Sequence, residues 1–83
     1  MVVLMEYRFS PDRAKQAREL QGLTQFALAE AVDVDPSSIR HWEKGRRVPS
    51  ADHLFALAAA LGVPPEGLMA RKPATTNKKK KKG

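Results

Sequence analysis

Apolar and polar positions follow two rhythms along this chain. Residues 2–9, VVLMEYRF, are rich in β-branched and aromatic side chains, and Val3, Met5, Tyr7 and Phe9 fall on one face if the segment is extended. A lone strand cannot satisfy its own backbone, so it needs a partner or stays loose. From Ser10 onward the spacing is helical. Ser10-Pro11-Asp12 reads as a capping serine, a proline at the first helical position and an acid in the first turn. That predicts a helix from about residue 11 to about residue 21, ended by Gly22, with Ala14, Ala17 and Leu20 on its inner face.

Thr24 is placed to cap a second helix through Val32, with Leu28, Ala29 and Val32 as the inward stripe. Asp33-Val34-Asp35 interrupts it. Asp35 caps a third helix, Pro36 opens it and Gly45 ends it. Ser50 caps a fourth, ADHLFALAAAL, which stops at Gly62 and buries Leu54, Leu57, Ala58 and Leu61. Pro64-Pro65 starts a short fifth helix with Leu68 and Met69 as its apolar residues, weakened by Gly67. From Lys72 the apolar period is lost, and PATTNKKKKKG is expected to be disordered. The chain therefore divides into an N-terminal arm or strand (1–9), a helical domain (10–71) and a lysine-rich tail (72–83). The fold class is all-α, a compact bundle of five helices with a short N-terminal strand.

Helices 2 and 3 are separated by about three residues, a link that forces the sharp crossing of a helix-turn-helix. Small Ala29 permits close approach and Val34 plugs the turn. Ile39 and Trp42, three apart, point to the core, so Trp42 is read as support and not as a base-stacking platform. Ser37, Ser38, Arg40, His41 and Lys44 are left facing outward.

Composition narrows the chemistry. Eighty-three residues give one small core. The absence of cysteine excludes disulfides and thiolate metal sites, and His41 and His53 have no carboxylate pattern around them, so neither metal nor cofactor is expected. MVVLM is too short to span a bilayer and has no basic flank, which leaves a cytoplasmic protein with no membrane association as the expectation. No nucleophile–base or paired-carboxylate arrangement suggests an enzyme. The net charge of +6 is unevenly placed. Residues 71–83 hold seven basic groups and no acid, whereas residues 10–70 hold seven basic against eight acidic groups, a sum of −1. Within that near-neutral body, residues 36–49 carry Arg40, Lys44, Arg46 and Arg47 against Glu43 alone, a basic patch suited to nucleic acid.

The pattern Gln25-x-x-Leu28-Ala29-x-x-Val32-x-Val34-x-x-x-x-Ile39-x-x-Trp42-Glu43-x-Gly45-x-x-x-Pro49, followed by LxxLAxALGV over residues 54–63, resembles the XRE family of Cro/CI-type phage repressors. The likeness covers residues 13–70. It departs from the family at Asp33, where glycine is usual, and at Phe26 and Ala27, where acids are usual. The resemblance implies a lambda-repressor-like bundle that binds a double-stranded DNA operator sequence-specifically, most often as a homodimer, and represses transcription. Matches to the family's reading positions fall at Ser37 and His41. With Arg40, the residue type best suited to guanine, these are the candidate base contacts, although Ser37 has an equal claim to capping its own helix. Gln25, Ser38, Lys44, Arg46 and Arg47 are the candidate phosphate contacts. Arg18 and Glu43 match a family pair that forms a buried salt bridge.

Alternatives stay open within this reading. The protein is an immunity-type repressor, an antitoxin that represses its own operon, or an adaptor that presents Tyr7, Phe9 and Phe26 to another protein. A dimer forms through the N-terminal strand paired with its two-fold mate, through helix 5 with Leu68 and Met69, or only on DNA. The lysine run neutralises phosphates on any sequence, or serves solubility.

Overall fold

Each of the four α-helices among the described residues begins where a short polar side chain turns back onto the backbone. In a computed structural model describing residues 5–73, Ser10, Thr24, Asp35 and Ser50 accept hydrogen bonds from the amides of Arg13, Ala27, Ser37 and His53. These caps satisfy amides that the helix itself leaves unpaired. The element order is β1 (Met5–Phe9), α1 (Pro11–Leu20), α2 (Gln25–Val32), α3 (Pro36–Glu43), α4 (Ala51–Leu61), a single 3-10 turn (Pro65–Leu68) and β2 (Met69–Pro73).

Helix ends follow the same local chemistry. Asp33 closes α2 in the left-handed conformation with φ 60°, and the Val34 amide reaches back to the Ala29 carbonyl at 3.0 Å. Aspartate takes the glycine role here because its short polar side chain tolerates that region better than most. Gly62 closes α4 with φ 70°.

The core is built from Ala14 of α1, Leu28, Ala29 and Val32 of α2, Ile39 and Trp42 of α3, Leu57, Ala58 and Leu61 of α4, and Leu68 of the 3-10 turn. Val34 and Leu54 pack partly against it. Leu20 does not join and is 82% exposed. Steps of three residues drift by about 60° around a helix, so a stripe begun at Ala14 and Ala17 has turned toward water by Leu20. The buried position on that turn is Arg18 instead.

The expected fifth helix is one 3-10 turn. Pro64 and Pro65 supply no amide hydrogens, and Gly67 sits so close to Val63 that an added Cβ would lie 3.3 Å from its side chain. Leu68, offered as a dimer surface, is fully buried in its own chain, and Met69 has left the turn to begin β2. The N-terminal strand finds its partner within the chain: β1 pairs antiparallel with β2, with Tyr7 opposite Arg71 and Phe9 opposite Met69. Lys72 and Pro73 thus belong to a strand, while Val3 and the lysine run from Lys78 lie outside the described residues. The Ser10 amide donates to the Leu68 carbonyl at 2.8 Å and ties the sheet's root to the bundle. No helix among the described residues is long and apolar enough to cross a membrane.

Candidate nucleic-acid interface

Helix α3 is short, and its orientation is set from both ends. At its start, the Asp35 carboxylate accepts from the Ser37 amide at 2.9 Å, and the Ser37 hydroxyl donates to the same oxygen. These two bonds, the hydroxyl first, hold the Asp35 carboxyl below its ordinary range. The cap is therefore Asp35 and not Ser37, whose hydroxyl hydrogen is committed to the capping carboxylate. What the hydroxyl oxygen retains is acceptor capacity.

Two buried anchors fix the helix's rotation. Ile39 and Trp42 point into the core as the spacing predicts, with 1% and 6% exposure. Trp42 also meets His53 of α4, ring centroids 5.4 Å apart, and His53 is held by the Ser50 hydroxyl at 3.1 Å. With those two side chains inside, Arg40 is exposed on the outer face, and His41, Ser37 and Ser38 are half-buried at its margins.

At the far end stands the acid of the basic patch. Glu43 is turned inward, with its side chain 5% exposed. Arg18 donates to both its oxygens, at 2.7 Å and 3.1 Å, and spends a further N–H on the Leu23 carbonyl at 2.8 Å. The hydrogen bond to Glu43 raises the Arg18 pKa further above its ordinary value, against the opposing effect of burial. Gln25 Nε2 adds a third donor to Glu43 at 3.1 Å. The one negative charge within residues 36–49 is thereby withdrawn and neutralised, and the outward surface keeps Arg40, Lys44, Arg46 and Arg47, all exposed. Low exposure makes this neutralisation effective, because a buried pair escapes most solvent and salt screening.

The loop after α3 turns at Gly45, whose φ of 76° suits a residue without a Cβ. It then folds back onto the helix: the Arg46 and Arg47 amides donate to the His41 carbonyl at 2.9 Å and 3.4 Å. Arg40, His41, Lys44, Arg46 and Arg47 are thus brought to one end of α3 and its loop. Gln25 joins them only through Glu43, and the Ser37 hydroxyl sits at the opposite end.

Two features escaped the sequence pattern. The Gln25–Glu43 bond joins the starts and ends of the two motif helices, and a glutamine at a helix start carries no signal for it. The β1–β2 sheet stands beside the loop after α3, sharing a cleft with Gly45, Arg47 and Val48. Phe26 is exposed as its position implied, whereas Phe9 packs against the core; Tyr7 and Phe55 are outward aromatics as well. No group of three His, Cys, Asp or Glu side chains able to hold a metal ion occurs among the described residues.

A helix-turn-helix family model matches residues 15–68. Multiprotein-bridging factor 1 of Candida albicans is 38% identical over 65 residues, covering 78% of this chain but 43% of that protein, so the chain spans less than half of this relative's length. Among solved structures, the restriction-modification controller protein C.AhdI from Aeromonas hydrophila is 33% identical, with 70% of this chain and 88% of that one covered and a TM-score of 0.68. The P22 c2 repressor in complex with a synthetic operator is 30% identical, with 74% and 92% covered and a TM-score of 0.69.

Proposed function

This chain belongs to the XRE-type helix-turn-helix family, and from that premise we propose that it is a transcription regulator that binds double-stranded DNA sequence-specifically and represses by occupying an operator. The observation that carries the reading is the charge arrangement around α3. Four exposed cations lie along and just beyond the helix, and the acid among them is buried against Arg18. A basic face on a body that sums to −1 localises attraction to one surface. The likeness to an operator-bound repressor and to a restriction-modification controller supports the same class.

In this reading α3 lies in the major groove. Arg40 offers a bidentate fork to guanine, His41 reads beside it, and Ser37 accepts a hydrogen bond from a base amino group because its own hydrogen goes to Asp35. Lys44, Arg46 and Arg47 grip phosphates and set the register. Ser38 and Gln25 complete the backbone contacts, with the Gln25 amide oriented by Glu43. Two copies on a two-fold operator place their α3 helices about 34 Å apart. Selection of bound fragments from a random duplex pool tests this. The expected result is a two-fold-symmetric site with half-sites about one helical turn apart. Recovery of no preferred sequence at physiological salt overturns the reading.

The likeness to a multiprotein-bridging factor favours a second reading, an adaptor that uses exposed Tyr7 and Phe26, each about 60% exposed, to dock another protein. A variant with Phe26→Ser separates the two. The adaptor reading expects unchanged DNA affinity and a lost protein contact.

A further inference from the structure

The sheet carries a tyrosine and an arginine side by side next to the loop that follows α3. Phe9 stands opposite Met69, and two positions further out Tyr7 stands opposite Arg71. Residues opposite one another, and alternate residues of one strand, share a face. Tyr7 and Arg71 therefore extend the side on which Phe9 packs against the core. Both are exposed. Tyr7, Phe9 and Met69 line a cleft of about 780 Å³ together with Arg47 of the loop. The two walls are held together at the root. A Cβ at Gly45 would lie 3.5 Å from the Pro11 ring, and the Ser10 amide clamps the Leu68 carbonyl. Of the charged side chains lining the cleft, Arg8 and Arg47 outnumber Asp12, and Arg71 adds a further cation beside Tyr7.

We propose that Arg47, Arg71 and the Tyr7 hydroxyl form a phosphate-binding site, which takes a backbone phosphate of the duplex next to the stretch read by α3. The proposal rests on the DNA-binding reading above and adds the sheet to it as a second contact surface. Guanidinium N–H groups and a phenolic O–H are donors suited to phosphoryl oxygens. A cleft in which cations predominate focuses its field on an anion. Continuity selects the duplex as the source of the phosphate. Arg47 belongs to the loop that grips the backbone, and the backbone carries one charge per about 1.7 Å of axis. A contact of this kind strengthens binding and fixes register without reading sequence.

Phosphate ethylation interference on the selected duplex, read for the full natural chain and for Arg71→Gln, tests the site. One phosphate in each half-site is expected to be essential for the natural chain and to drop out of the map for Arg71→Gln. The phosphate lost in Arg47→Gln is expected to be the same one or its immediate neighbour. In anisotropy titrations Arg71→Gln is expected to weaken a selected and a scrambled duplex by equal factors, and to lower the slope of log K against log salt by about 1. Arg71→Lys keeps the charge and is expected to keep the slope. Tyr7→Phe removes only the hydroxyl and is expected to weaken both duplexes equally with the slope unchanged. Lys15→Gln removes an exposed cation of α1 that does not line the cleft, and so measures the general effect of a lost charge. An interference map that Arg71→Gln leaves unchanged, or a slope that Lys15→Gln lowers as much, overturns the proposal. So does a loss in Arg71→Gln that tracks weaker self-association in sedimentation, which would make the sheet an interface between copies. Unchanged affinity in Tyr7→Phe overturns the site however Arg71→Gln folds. Absence of binding to any duplex by the natural chain overturns instead the assignment of α3 as a DNA reader, and this inference falls with it.

Discussion

The Arg18 guanidinium holds both oxygens of Glu43, with Nε 2.7 Å from Oε2 and Nη2 3.1 Å from Oε1, across twenty-five residues of sequence. One bidentate pair performs two tasks. It fastens the end of α3 to α1, and it removes an acid from the surface where the cations Arg40, Lys44, Arg46 and Arg47 stand exposed.

Breaking that pair from one side leaves a buried charge without compensation. Arg18→Ala is expected to cost about 3–5 kcal/mol of stability, measured by urea unfolding. Replacing both partners, Arg18→Met with Glu43→Leu, is expected to recover most of the loss, because a well-packed apolar pair carries no desolvation penalty. Any loss of DNA binding in Arg18→Ala is then attributable to a misplaced α3. A single-variant cost below about 1 kcal/mol would show that the pair behaves as an ordinary surface bridge.

The outer face of α3 divides readers from grips. Arg40→Ala is expected to lose about 1–3 kcal/mol of binding at the selected site and to relax the preference at one base position. Lys44→Ala is expected to weaken binding evenly across sequences and to lower the salt slope by about 1. Parallel titrations on a selected and a scrambled duplex check both. Equal losses on the two duplexes for Arg40→Ala would move it to the phosphate group.

Acid should loosen the start of α3. Hydrogen bonds from Ser37 depress the Asp35 pKa below its ordinary value. A depressed carboxylate stabilises the fold above its unfolded pKa, about 3.9, and that contribution is lost as pH falls through the lower folded value. Thermal melting between about pH 5 and pH 2 is therefore expected to fall more steeply for the natural chain than for Asp35→Asn, which caps a helix without a titrating charge. Identical pH profiles would show that the interaction with Ser37 does not favour the ionised form.

Local chemistry made most of the scaffold legible. Four caps, the left-handed Asp33 and the buried pair Ile39 and Trp42 each follow from residues within a few positions. What was not legible depends on distant partners. Tyr7 pairs with Arg71 from nearly opposite ends of the chain, and nothing in VVLMEYRF identifies ARKP as its complement, since β2 is charged and lacks alternation. Leu20 looked inward because three-residue spacing was extended one step too far, while Arg18, a charged residue, carried no apolar signal for its burial. The Arg18–Glu43 pair was indicated only by family resemblance, and the third donor from Gln25 by nothing in the sequence. For the candidate site, the identity of the outward residues was readable, but the withdrawal of Glu43 from among them needed the fold.

Leu68 supplies the sharpest check on the corrected C-terminal half. As the end of a fifth helix it would have offered its side chain to a second copy. Here it is 0% exposed, at the close of a 3-10 turn whose last carbonyl accepts from Ser10, so it plugs the bundle beneath the sheet. Leu68→Ala is expected to cost about 2–5 kcal/mol in urea unfolding, whereas Leu68→Met, which conserves volume, is expected to cost less than about 1.5 kcal/mol. Sedimentation of the natural chain and of Leu68→Met should agree, because no part of this side chain reaches the surface. A small stability cost for Leu68→Ala combined with weaker self-association would return Leu68 to an interface between copies.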